Sequence, residues 1–263
     1  MNDHPNNYRM CNMVLRKLAL PFLVLGCWIM ATTFWTIHPI ILPKLQAVVR
    51  DFFLYVQNGE LLEHTLISLR RCLLGLVGGS TLGVLMGILL GWNRYLEEIF
   101  DVSVNFTRSI PKTALAPLFI VWFGFEEMPK VLLIGLASYF YTLIPTMEGV
   151  KNVDKLYIKS ARSLGANDFQ ILLSVVIPAA MPAMYAGLRL ATATALVVLV
   201  FVEILTGNSG LGYLLEMSRS SLNMSTMYMT LGVLGVIGFI LDWLVRRSET
   251  WLMPWQKGRT LSS

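Results

Sequence analysis

Asp154-Lys155-Leu156-Tyr157-Ile158-Lys159-Ser160-Ala161-Arg162-Ser163-Leu164-Gly165-Ala166-Asn167-Asp168-Phe169-Gln170 and the run on to Val175-Val176-Ile177-Pro178 form a polar stretch between long apolar ones. Leu156, Ser160, Ser163 and Leu164 recur at i, i+4, i+7 and i+8, which is one face of a helix. Asp154 is suited to cap its start, and Gly165 suits the left-handed residue that closes a helix. Asn167 and Gln170 are spaced as a capping box that starts a second helix, running into Pro178 and Pro182. The stretch therefore predicts a short helix, a tight turn and a second helix leading into the bilayer. A capped, small-residue helix of this kind, set among greasy spans, points to a docking element.

The surroundings are those of a membrane protein. Of 263 residues, 55% are hydrophobic and 14% charged, and the mean hydropathy is +0.62, outside the usual range of soluble domains. Six runs are apolar enough to span as helices: 18–37, 72–92, 103–124, 131–150, 183–205 and 226–245. Their continuity excludes the alternating strands of a membrane barrel. The first is about 20 residues long, which fits a retained span better than a cleavable signal.

Thirteen Lys and Arg fall on one side: Arg9, Arg16 and Lys17, then Arg94 and Arg108, the four of 151–162, and Arg246, Arg247, Lys257 and Arg259. Six, namely Lys44, Arg50, Arg70, Arg71, Lys130 and Arg219, fall on the other. The positive-inside rule then makes both termini and the 151–170 loop cytoplasmic. The formal charge of +5 reads as headgroup contact and orientation, not nucleic-acid binding. The domain reading is a tail over 1–17, a transmembrane domain over 18–250 with a cytoplasmic loop at 151–170, and a tail over 251–263. Cys11, Cys27, Cys72, His4, His38 and His64 show no metal-ligand spacing, so no metal site is expected. Gly75, Gly79, Gly83, Gly87 and Gly91 form a four-residue ridge for close helix approach, either within the chain or at a dimer contact.

Lys159-Ser160-Ala161, Gly165 and Val175-Val176-Ile177-Pro178 resemble the EAA loop of ABC importer permeases, with Lys159 in place of its acid and Ser160 in place of its first alanine. Arg108-Ser109-Ile110-Pro111-Lys112-Thr113-Ala114-Leu115-Ala116-Pro117-Leu118, Trp122-Phe123-Gly124 and Glu203-Ile204-Leu205-Thr206-Gly207-Asn208-Ser209-Gly210-Leu211-Gly212 are similar to permeases of the nitrate, sulfonate and taurine subgroup. The likeness covers roughly residues 60–250. It implies an all-α membrane protein of six transmembrane helices with the type I importer permease fold and a cytoplasmic coupling helix between spans four and five. It also implies a homodimer of permeases in the bacterial inner membrane, two ATP-binding subunits that hold ATP and Mg2+, and an extracytoplasmic solute-binding protein. Lys159, Ser160, Ala161, Arg162, Ser163, Leu164, Gly165 and Ala166 would contact the ATPase, and a small oxyanion or organic sulfonate is the expected solute.

This chain lacks the phosphate-binding Gly-x-x-x-x-Gly-Lys-Ser/Thr loop, so it is not expected to hydrolyse ATP or to bind a cofactor itself. Arg108, Pro111, Pro117, Trp122, Phe123, Arg189 and Glu203 are candidates for the path or gate. Pro111 and Pro117 each remove a backbone donor and make the third span bendable. Trp122 fits an aromatic belt equally well. Arg189 either meets an anionic solute or pairs internally, and Glu203 and Asp242 lie near span ends, where interfacial roles are common. Gly207–Gly212 is too glycine-rich for a helix and is expected to fold back on the outer face. The rival class is a secondary transporter or a channel, which would more typically show internal repeats, ion-coupling carboxylates or a filter loop.

Overall fold

The computed structural model describes residues 20, 23–34 and 38–255, and these are all-helical apart from turns. Helix α1 (Leu23–Phe34) is short. It is followed by α2 (Leu45–Gln57), α3 (Glu60–Trp92), α4 (Arg94–Ser109), α5 (Ala116–Phe123), α6 (Glu127–Lys151), α7 (Lys155–Ser163), α8 (Asp168–Ile171), α9 (Ile177–Thr206), α10 (Leu211–Ser220) and α11 (Met224–Leu252). Among the described residues, four helical stretches are long and apolar enough to cross a bilayer: α3, α6, α8–α9 taken together, and α11. Of the expected first span, 18–37, positions 18, 19, 21, 22 and 35–37 lie outside the described residues, and α1 occupies 23–34 of it.

Two of the expected spans and the expected glycine-rich loop need correction. The second begins at Glu60, twelve residues before its apolar run, because Arg70 and Arg71 are carried inside the helix. The third is not one helix. It breaks at Ile110-Pro111, passes through a 3-10 turn at Lys112–Leu115 and resumes as α5. The glycine-rich segment is a loop only as far as Gly210, and Leu211 and Gly212 already open α10.

Helices α3, α6 and α9 are the core. Cys72, Leu76, Ile134, Ala137, Ala195 and Val198 form its largest buried cluster. The glycine ridge of α3 lies along α6 within the same chain, so the dimer alternative for it falls away. A Cβ on Gly75 would stand 2.6 Å from Ile134 Cβ, and one on Gly87 or Gly91 2.7 Å from the carbonyl of Leu143 or Met147. At Gly79 it would overlap the Gly135 carbonyl. These glycines cost helix propensity in exchange for backbone contact that a side chain would prevent. Gly79→Val is expected to destabilise the bundle by about 3 kcal/mol or more, because overpacking of ~1–3 kcal/mol falls here on backbone that cannot yield. A lowered midpoint of thermal unfolding in detergent measures it.

The predicted hairpin is present in detail. Asp154 Oδ1 accepts from the Leu156 N–H at 2.8 Å. Gly165, at φ +86°, donates to the Arg162 carbonyl at 3.0 Å, and Ala166 donates to Ala161 at 3.2 Å, which together make a Schellman closure. The capping box is reciprocal: Gln170 N–H donates to Asn167 Oδ1 at 2.8 Å, and Asn167 N–H to Gln170 Oε1 at 2.9 Å. A π-turn at Leu172–Val176 then leads into α9. Pro178 cannot donate in the helix, and the wider turn accommodates it.

Candidate functional site

The break in the third span opens the site. Helix α4 ends without a continuing α-turn because Pro111 has no N–H and holds Ile110 extended, at φ −76° and ψ 124°. Lys112 folds back over the open end. Its ammonium donates to the carbonyls of Thr107, Ile110 (2.9 Å) and Arg108 (3.4 Å) and lies 4.5 Å from the Phe140 ring centroid. A cation on the carbonyl end of a helix and over an aromatic face is favourable twice over, and Lys112 is only 8% exposed. The expected bend is therefore pinned rather than loose. Phe140 lies midway along α6, so the break faces the middle of that helix.

A cavity of about 520 Å³ opens beside the break, lined by Arg108, Lys112, Phe140, Tyr141, Leu190 and Thr194 among others. No carboxylate among the described residues lines it. Lys112 has its three protons occupied, whereas Arg108 is exposed and pairs with no carboxylate among the described residues. Arg108, in the last turn of α4, lines the cavity across from Phe140 of α6.

The other path candidates are dispersed. Pro111 lines the cavity. Pro117 sits in the first turn of α5, where a missing N–H costs nothing, so it does not bend the span. Trp122 and Phe123 are exposed and stack with Phe119 away from the cavity. Arg189 pairs with Glu249 of α11, the internal alternative of its two readings, although its neighbour Leu190 does line the cavity. Asp242 pairs with Arg246 at 2.6 Å on the exposed side of α11.

Glu203 is fully buried in a network at the α10 end. It accepts from Ser68 Oγ at 2.8 Å, Arg71 Nη1 at 2.7 Å and the Gly212 N–H at 2.9 Å. All five Arg71 donors are used, on Glu127 (2.7 and 2.5 Å), Glu203, and the carbonyl and hydroxyl of Ser209 (2.7 and 2.8 Å). The network ties the α9–α10 loop to α3 and α6. Sequence reasoning missed Arg71 and Lys130 by taking them for loop cations. The signal was Glu203 itself, since a buried carboxylate needs a cation on the same side.

At the opposite end, α7 rests on the bundle through Ile158 and Ala161, with Ala166 beside them against Val150, Val153 and Ile171. Leu156, Tyr157, Leu164 and Phe169 are exposed, Leu164 at 89%. The expected docking face of Leu156, Ser160, Ser163 and Leu164 thus points outward. Ala161 and Ala166 do not share it: they seat the helix on its own spans. Arg162 bridges to Asp168 at 2.5 Å across the turn, and Lys159 is exposed.

A deep cavity at a helix break, a capped helix at one end and apolar spans between them define a membrane transport subunit. The chain belongs to the binding-protein-dependent transport system inner membrane components, whose family profile matches residues 79–253. It is 33% identical over 242 residues to the putative aliphatic sulfonates transport permease protein SsuC of Bacillus subtilis (strain 168), covering 92% of this chain and 88% of that one. It is 30% identical over 237 residues to the taurine transport system permease protein TauC of Escherichia coli (strain K12), covering 88% and 86%. Its fold matches a chain of the inward-facing MetNI methionine ABC transporter with a TM-score of 0.62 at 19% identity, covering 73% of this chain and 96% of that one. As an ABC transporter permease it lacks ATPase activity, and its family membership implies an ATPase and a solute-binding protein as partners.

Proposed function

We propose that this chain is the permease subunit of an ATP-driven importer and forms the translocation path for a small anionic solute of the alkanesulfonate, taurine or nitrate type. One observation carries the reading: a mid-span cavity walled by Phe140, Tyr141 and Leu190 holds two cations and no carboxylate. The free guanidinium of Arg108 is the anion contact, since its donors fit planar or tetrahedral oxyanions, and the apolar wall takes a short carbon chain. The names of the similar permeases support the same class.

The complex is a homodimer of type I permeases with six spans each, the broken α4–α5 unit being the third, and with both termini cytoplasmic. Two ATPase subunits hold ATP and Mg2+ and grip the 155–166 segment. The binding protein delivers solute at the α10 end. Leaving Arg108 out of the cytoplasmic count, and the buried Arg71 and Lys130 out of the other, strengthens the charge bias that supports this orientation.

Reconstitution with the ATPase and binding protein should give ATP-dependent uptake of ethanesulfonate or taurine. Arg108→Gln should lower it about tenfold or more with ATP hydrolysis retained, the effect of one lost charge-assisted hydrogen bond. Solute movement by vesicles bearing this polypeptide alone, without nucleotide, would instead establish the secondary transporter or channel.

A further inference from the structure

The cavity continues toward α7. On α6 and its C-cap, Tyr141, Pro145, Glu148 and Asn152 follow one face, and on α9 Pro178, Pro182 and Ala186 lead up to Leu190 and Thr194. The lower members of both stripes line a second cavity of about 1030 Å³, and Pro145 lines both. Asp154 and Tyr157, at the start of α7, form part of the same wall. The two cavities meet at Pro145, and together their linings run from the helix break to the coupling segment.

Charge changes sign along these linings. Above Pro145 the ionisable carriers of fixed charge are Arg108 and Lys112, and below it they are Glu148 and Asp154. The Asp154 carboxylate is engaged by the Leu156 N–H. Glu148 is exposed and pairs with no cation among the described residues. Lys151, the nearest cation in sequence, is held by Glu97 of α4.

We propose that Glu148 opposes rebinding of the anion from the cytoplasm, a role that rests on the proposed anionic solute. It stands one helical turn past Ile144, which lines the upper cavity, and with Asp154 makes the lower cavity negative. Solute coming from above is driven through it by the closing of the complex. Solute returning from the cytoplasm would have only its affinity to carry it past the carboxylate, and its occupancy of the lower cavity is reduced. Low-dielectric walls concentrate that field. The importer thereby limits inhibition by product that occupies the lower cavity.

The test uses the whole complex in vesicles with the α7 side facing the lumen. ATP and graded ethanesulfonate are placed inside, and labelled ethanesulfonate with binding protein outside. With an empty lumen, Glu148→Gln should take up solute at the wild-type initial rate, which also shows that it is folded. The lumenal concentration that halves uptake should fall about two- to fivefold in Glu148→Gln, and further in Glu148→Lys. If both variants resist lumenal solute as the wild type does, Glu148 has no such role. Wild-type vesicles that take up no sulfonate would overturn the anion reading beneath it.

Discussion

Arg71→Met is expected to lower the stability of the folded protein by about 3–5 kcal/mol, the cost of leaving a buried ion pair half made. Glu203 is fully buried and would be left with only Ser68 and the Gly212 N–H for support. Ser209 and Glu127 would lose every bond to Arg71, releasing the loop between α9 and α10. For a chain of this size the melting midpoint in detergent should fall by about 10 °C. Arg71→Met combined with Glu203→Leu should recover part of the loss, because the uncompensated charge goes with the second change. An unchanged midpoint in the single variant would mean that the network contributes nothing to the fold. Arg71→Lys should not rescue it, since one ammonium cannot serve two carboxylates and a carbonyl in a fixed plane.

That network marks the boundary of what the sequence alone discloses. The hairpin was legible because its signals are local: Asp154, Gly165, Asn167 and Gln170 act on backbone groups within three or four residues of themselves. The glycine ridge was legible as a contact, but its partner was not, since spacing on α3 says nothing about which helix arrives. The Lys112 pin and the Arg71 hub were hidden for a different reason. Hydropathy counting places cations near span ends in loops, yet an arginine with two carboxylates is carried inside, and Lys112, within the expected third span, shows nothing in its sequence neighbours of the helix-end carbonyls that it folds back upon. The third span misled for the same cause. Its apolar run is continuous in composition, and only the pairing of Pro111 with a folded-back Lys112 shows that the chain stops being a helix there.

Removal of the pin separates the break from the cavity it serves. Lys112→Met keeps the side-chain length but leaves the carbonyls of Thr107, Arg108 and Ile110 without their shared donor. Uptake should fall severalfold through a raised KM for solute, because Arg108 is held by the same turn. Lys112→Arg should restore most of it, since a guanidinium also donates to carbonyls and stacks on Phe140. A Lys112→Met protein with normal KM would show that the turn keeps its shape without the cation.

Gly165→Pro should abolish productive coupling, with uptake reduced at least tenfold while the protein still inserts and the ATPase still turns over. Proline fixes φ near −65°, whereas residue 165 lies at +86°, and the ring removes the N–H that closes α7 on Arg162. The damage is local, since a Cβ at Gly165 meets nothing within 4 Å and the core of α3, α6 and α9 lies elsewhere. Gly165→Ala keeps the N–H and should cost about 1 kcal/mol, with milder loss. Leu164→Asp separates docking from fold: the side chain touches solvent on nearly all sides, so stability should hold while capture of the ATPase subunit weakens. Because Asp154 and Tyr157 wall the lower cavity, a tilt of α7 is already a change in the shape of the exit, and no relay through distant residues is required. Normal uptake by Gly165→Pro would show that the ATPase grips this bundle somewhere other than α7.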